Sequence, residues 1–189
     1  MLVTKEDVKK ALNYSGDNND GAIDDFIARV EADFKAYLCG VTYDATSAYT
    51  TETEYLNGDG SDVIILNKLP VRTVTSLYLD GSRAFGADSL VDSSAIITND
   101  LDKGLIYLDG YLTPKGAGTV KIVYTAGYKK TDAPADFKQI IINEVVAMFL
   151  ENIGGVNTVE ESDFIYRPDK LRKSALELKK KYKVISHGL

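Results

Sequence analysis

Thiol and imidazole chemistry have almost nothing to work with in this chain. Among 189 residues there is one cysteine, Cys39, and one histidine, His187. A single cysteine forms no disulfide within the chain and supplies no Cys-rich zinc site. A Cys–His dyad or a Ser–His–Asp triad needs an imidazole fixed by a carboxylate, whereas His187 stands among Ser186, Gly188 and Leu189 in what reads as a mobile tail. Cys39, after Tyr37 and Leu38 at the end of a helix pattern, reads as a small buried apolar residue. No Gly-Lys-Ser/Thr phosphate loop occurs. Gly116-Ala117-Gly118 lacks a third glycine and leads into a strand, so it is no dinucleotide loop. The N-terminal Met1 to Asp7 has no basic region followed by an apolar run, so no signal peptide is expected. Nor does any apolar stretch approach the ~20 residues that span a bilayer. The longest, Ile140 to Leu150, is broken by Asn143 and Glu144. The expectation is a compact, soluble, intracellular protein that is not an enzyme, needs no cofactor or metal and makes no membrane contact.

What is present is ordinary for a folded domain: 44% hydrophobic and 26% charged residues. Charge is unevenly spread. The stretch 167–183 carries Arg167, Lys170, Arg172, Lys173, Lys179, Lys180, Lys181 and Lys183 against Asp169 and Glu177, a balance of +6. The whole chain is −6, so the remainder carries −12. One basic helix does not make a nucleic-acid reader, which shows a basic face supported by base-reading groups. The segment reads as a solvated helix with cations toward its C-terminal end, or as a docking surface.

Periodicity divides the chain into three blocks. Thr4 with Asp7 makes a capping box for a helix from Lys5 to about Tyr14, and 15–21 is a turn. A second helix, from about Gly21 to Leu38, places Ile23, Phe26, Ile27, Val30, Phe34, Tyr37 and Leu38 at helical spacing, a core face. The second block is β. Thr51 to Asn57 and Asp62 to Leu66 flank Gly58-Asp59-Gly60-Ser61, which predicts a hairpin. Further strands are expected at 73–79, 95–98, 103–108 and 119–124, with Gly127 ending the last by allowing positive φ. In the third block Pro134 opens a long apolar helix to Asn152, stopped by Gly154-Gly155. A polar connection, 157–166, then leads to a last helix from Pro168 carrying Leu171, Ala175, Leu178 and Tyr182. The fold class is therefore α+β: a helical core of two N-terminal helices, one long helix and one basic C-terminal helix (1–49 and 128–189), interrupted by a small antiparallel β insertion (50–127).

Several acidic motifs reduce to turn and surface grammar. Asp17-Asn18-Asn19-Asp20-Gly21 resembles the start of a calcium loop, yet with Gly21 sixth the twelfth position is Ile27 where a bidentate glutamate is required. Asp59, Asp62 and Asp80 belong to Asp-Gly turn chemistry. Neither Asp24 with Asp25 nor Glu160 with Glu161 forms a facing carboxylate pair on a helix.

The order of motifs carries more than any one of them. Leu2-Val3-Thr4 with Val8, Lys9 and Leu12, the second helix ending in Tyr37-Leu38, and Glu54-Tyr55-Leu56-Asn57-Gly58-Asp59-Gly60 come first. Leu69-Pro70-Val71 leading into 74–81 follows, and then the junction from Tyr124-Thr125-Ala126-Gly127-Tyr128 to Pro134-Ala135-Asp136. In this order they resemble the head-tail connector, or adaptor, proteins of tailed phages, the gp6-like family, over most of the chain from Met1 to about Asn152. The resemblance implies a structural virion protein of the neck, in the host cytoplasm before assembly. It further implies a homo-oligomeric ring of twelve subunits that docks under the portal protein, meets a stopper or tail-completion protein, and extends a channel through which DNA passes without sequence-specific binding. The β block departs from the short all-helical members. Portal docking is expected of the basic helix, at Arg167, Lys170, Arg172, Lys173, Lys179 and Lys180. The alternative function is a carbohydrate- or host-surface-binding β module, with Tyr55, Tyr78, Tyr107, Tyr111, Tyr124 and Tyr128 as a stacking surface.

Overall fold

A computed structural model describes residues 1–38, 40–44, 48–152 and 167–182. The readings of Cys39, Gly154-Gly155, the connection 157–166, Glu160 with Glu161, Lys183 and His187 lie outside the described residues. The fold is mixed α+β, and the chain divides into two compact units, Met1–Cys39 with Lys130–Ile185 and Gly40–Lys129.

The first unit is helical: α1 (Lys5–Leu12), α2 (Asp20–Tyr37), α3 (Ala135–Asn152) and α4 (Pro168–Lys180). The capping box forms, with the Asp7 amide donating to Thr4 Oγ1 at 3.3 Å and the Thr4 amide to Asp7 Oδ2 at 3.0 Å. α1 stops at Leu12 because Asn13 adopts the left-handed conformation (φ 51°), a conformation asparagine tolerates. Pro134 precedes α3, and its carbonyl accepts the Phe137 amide at 2.9 Å. α3 is apolar on most sides, burying Phe137, Ile140, Ile141, Val145, Val146 and Leu150 among others, as befits a helix surrounded by others. The Phe137 ring meets Phe34 of α2 edge-on at 5.0 Å and Tyr182 at 4.8 Å. Such pairs add about 0.5–1.5 kcal/mol each beyond area burial. Asp20 is ion-paired with both Lys5 and Lys9, and Asp17 with Lys9, so the calcium-like acids hold α1 to α2.

Among the described residues the second unit contains six strands: β1 (Thr50–Gly58), β2 (Val63–Ile65), β3 (Val71–Leu79), β4 (Ile96–Asp100), β5 (Leu105–Leu108) and β6 (Gly116–Ala126). They form two antiparallel sheets, ordered β1-β6-β3 and β2-β5-β4. Inward residues of both sheets share one core: Ile64, Ile106 and Leu108 from one, Leu77, Ile122 and Tyr124 from the other. This corrects the expectation of a helical core with a small β insertion, because the β unit closes a core of its own.

The predicted hairpin between β1 and β2 is also corrected. β1 pairs with β6, from Thr50 opposite Ala126 to Gly58 opposite Gly116, while β2 pairs with β5 in the other sheet. The Gly58–Ser61 segment turns the chain between sheets: the Asp59 carboxylate accepts the Ser61 amide at 2.8 Å, and Thr113 Oγ1 accepts the Gly60 amide at 3.1 Å. Turn residues fix where the chain bends, not which strand lies beside it. The strand expected from Lys103 begins at Leu105, since Leu101–Lys103 form a 3-10 turn closed by Gly104 at φ 73°. Gly127 ends β6 at φ 89°, and a Cβ there would run into Thr42 Oγ1.

Candidate functional site

α4 lays a stripe on α3, with Ala175 fully buried and Pro168 buried beside it. The six cations expected to dock outward divide into two groups. Arg172 makes a two-pronged pair with Glu151, Nη2–Oε2 2.6 Å and Nε–Oε1 3.1 Å, which holds the guanidinium more firmly protonated. Lys179 Nζ lies 3.0 Å from Glu144 Oε1 and 5.7 Å from the centre of the Tyr37 ring. The Lys179 and Glu144 side chains are only 14% and 16% exposed, which places this pair inside the helix packing. Lys180 pairs along its own helix with Glu177 at 2.7 Å, and that bond lowers the Glu177 pKa. Beyond these, Lys181 and the Tyr182 hydroxyl both reach Asp136 Oδ2, at 3.1 and 3.0 Å. These bonds, Lys181 first, lower the Asp136 pKa.

Arg167, Lys170 and Lys173 are exposed, as are the ion-paired Arg172 and Lys180. At about 100° per residue Lys170 and Lys173 fall on the side of α4 away from Ala175. The acids that receive the inner cations were missed in the sequence, although the signal existed. Asp136, Glu144 and Glu151 recur at spacings of eight and seven residues, which sets them along one side of α3. A cleft of about 310 Å³ among α2, α3 and α4 is lined by Arg29, Asp33, Glu144, Met148, Arg172 and Lys179, so its charges overlap these ion pairs.

The tyrosines do not form one surface. Tyr124 is fully buried on the core side of β6, where its hydroxyl donates to Glu54 Oε1 at 2.6 Å and accepts the Lys68 amide at 3.2 Å. Burial first, and then the Glu54 bond, raise its pKa. Tyr107 sits in the other sheet, opposite Val63 and Ile97. Only Tyr55 and Tyr78 flank a common neighbour, Lys121, on the outward side of the β1-β6-β3 sheet. Asp59 and Asp80, which the turns could have offered to a cation, are instead taken up by hydrogen bonds. Those from Ser61 and Ser82, respectively, lead in lowering their pKa values. Among the described residues no group of three or more His, Cys, Asp or Glu is placed to hold a metal ion. None of the helices described is long and apolar enough to cross a membrane.

The work visible in these residues is to hold helix to helix and to present charge and rings outward, which is the work of a structural, contact-making protein. Residues 1–146 match the model of the head completion protein family, and the chain belongs to that family. It is accordingly a structural head-tail component rather than an enzyme, as the resemblance to connectors implied. No curated protein matches the chain. Among solved structures, one from the neck of an empty GTA particle computed with C6 symmetry aligns at TM-score 0.55 and 18% identity, covering 91% of this chain and 82% of that one. Another, from the neck of a native GTA particle computed with C12 symmetry, aligns at 0.54 and 19%, covering 89% and 85%. A third, from the virion of a native gene transfer agent particle, aligns at 0.54 and 18%, covering 90% and 80%. At these identities the likeness is one of fold.

Proposed function

We propose that this chain is a ring-forming neck component that docks under a portal protein and continues the DNA channel toward the tail. Family membership supports the structural role, and solved relatives from particle necks with six- or twelve-fold symmetry support a ring of twelve copies. The observation that carries the docking half is the division of cations on α4. Its inner face is neutralised by Glu144, Glu151 and Asp136, while Arg167, Lys170 and Lys173 remain on the outside for a partner. These three are the proposed docking residues, with the exposed Lys180 beside them paired only along its own helix, and the partner they suit is an acidic portal surface. The acidic remainder of the chain suits a channel wall, because negative charge repels the phosphates of moving DNA whereas cations would bind them. A stopper or tail-completion protein would meet the ring's far side.

Negative-stain imaging of the protein mixed with its cognate portal tests this. The expected result is an added ring at the portal's narrow end, lost in the Lys170→Glu/Lys173→Glu variant while far-UV circular dichroism is unchanged. Charge reversal is preferable to deleting α4, which would strip the buried Ala175 contact from α3. No association of the wild-type chain under any salt condition would overturn the reading.

A further inference from the structure

The outward face of the β1-β6-β3 sheet has a chemistry at odds with the rest of this acidic chain. Direct pairing in the ladder places Tyr55, Lys121 and Tyr78 in one row across the three strands. The remaining outward positions of the ladder carry Val123 and the hydroxyl residues Thr51, Thr53, Thr125, Thr73 and Ser76, with no carboxylate among them. Glu52 and Glu54 alternate to the core side, opposite Tyr124 and Ile122. A strand period of two thus sorts the acids from this face.

The row is extended by a loop held in an uncommon conformation. Phe85 and Arg83 have φ of 50° and 64°, in the left-handed region that non-glycine residues rarely occupy. The Asp80 carboxylate fixes the loop by accepting the Ser82 amide at 2.7 Å and the Phe85 amide at 2.8 Å. The result lays the Phe85 ring 5.6 Å from that of Tyr55, and Lys121 Nζ stands 5.2 Å from the Tyr78 ring centre and 5.8 Å from that of Phe85. Tyr55 remains 58% exposed. A second cation–aromatic group stands at the other end of this sheet, where β1 and β3 begin and β6 ends. There the Arg72 guanidinium lies 5.0 Å from the ring centre of Tyr49 and 5.1 Å from that of Tyr128, and Lys129 Nζ lies 4.7 Å from Tyr49.

We infer that this face binds single-stranded nucleic acid, with unpaired bases stacking on Tyr55, Phe85 and Tyr78 and with Lys121 taking a phosphate between them. Rings give every base a stacking partner, cations track the backbone, and hydroxyls between them accept and donate without repelling phosphate. A duplex, whose base faces are covered, engages only the cations. A sugar site would be expected to place carboxylate or amide groups beside its rings, and this face has none in its ladder. The inference goes beyond the ring reading and needs neither a portal nor a second copy.

Fluorescence anisotropy of the full chain with fluorescein-labelled oligo(dT) of about 16 nucleotides, in about 50 and 200 mM salt, tests it. The expected result is saturable binding that weakens with salt and is at least about ten-fold tighter than for a duplex of equal length. Tyr55→Ala, at an exposed position, should weaken binding by about ten-fold, and Lys121→Gln should reduce the salt slope by about one. Circular dichroism confirms that each variant is folded. Absence of saturable binding at the lower salt, equal binding of duplex, or unchanged binding by both folded variants would overturn the inference. So would salt-independent quenching of tyrosine fluorescence by maltoheptaose with no response to oligo(dT), which would make the face a sugar site.

Discussion

Replacing Tyr124 by Phe removes one oxygen from the centre of the β unit and should cost far more than its size. Its hydroxyl donates to Glu54 at 2.6 Å and accepts the Lys68 amide at 3.2 Å. The same Glu54 carboxylate takes the Asn67 amide and side chain, each at 3.2 Å, tying β1 to the segment after β2. A hydrogen bond to a charged group contributes about 1.5–3 kcal/mol net, and Phe leaves no cavity beyond the hydroxyl itself. The expected loss is therefore about 2 kcal/mol, read in urea as a midpoint shift of about 1 M at an m-value near 2 kcal/mol/M. The pH dependence has a definite sign. Burial and Glu54 raise the Tyr124 pKa in the folded state, so its contribution is full below the unfolded tyrosine value of about 10 and is lost as pH rises above it. Wild type should lose stability faster than Tyr124→Phe between about pH 10 and 11.5. A midpoint shift under about 0.2 M, or parallel alkaline profiles, would refute the account of this bond as the tie between β1 and the 67–68 segment.

Gly127→Ala should lower the thermal midpoint severely, by more than about 2 kcal/mol equivalent, because φ is 89° and the added Cβ would meet both Thr42 Oγ1 and the Thr42 carbonyl; a near-neutral result would sink that backbone argument. Lys179→Ala and Lys173→Ala should separate the two faces of α4. The first, breaking a pair largely shielded from solvent, is expected to cost about 1–2 kcal/mol, and the second to stay within about 0.5 kcal/mol, in urea titrations. Equal costs would show that the helix does not divide its cations.

Local grammar was legible wherever the determining atoms lie close in sequence. Thr4 and Asp7 are three residues apart, so their reciprocal cap could be read directly, as could the end of β6 at Gly127 and the apolar breadth of α3. The partner of β1 was not legible, because alternation in Thr50–Gly58 says which residues share a face and is silent on which strand pairs with it. Equally, eight cations in a stretch of seventeen residues marked the C-terminal helix, but composition has no way to separate Lys179 from Lys173. That separation depends on Glu144 of α3, thirty-five residues away.

The amino-acid sequence by itself thus determined most of the element types and an order of motifs sufficient to reach the family. These rest on residue identity, short-range hydrogen bonding and backbone preference. Only the tertiary structure decided that the β segment closes a core of its own, that Arg172 and Lys179 among the expected docking cations are paired with acids of α3, and that Tyr124 turns inward while Tyr55, Tyr78 and Lys121 lie outside. The physical reason is the same in each case: burial and ion pairing are properties of groups brought together from distant parts of the chain, and no local pattern encodes the partner.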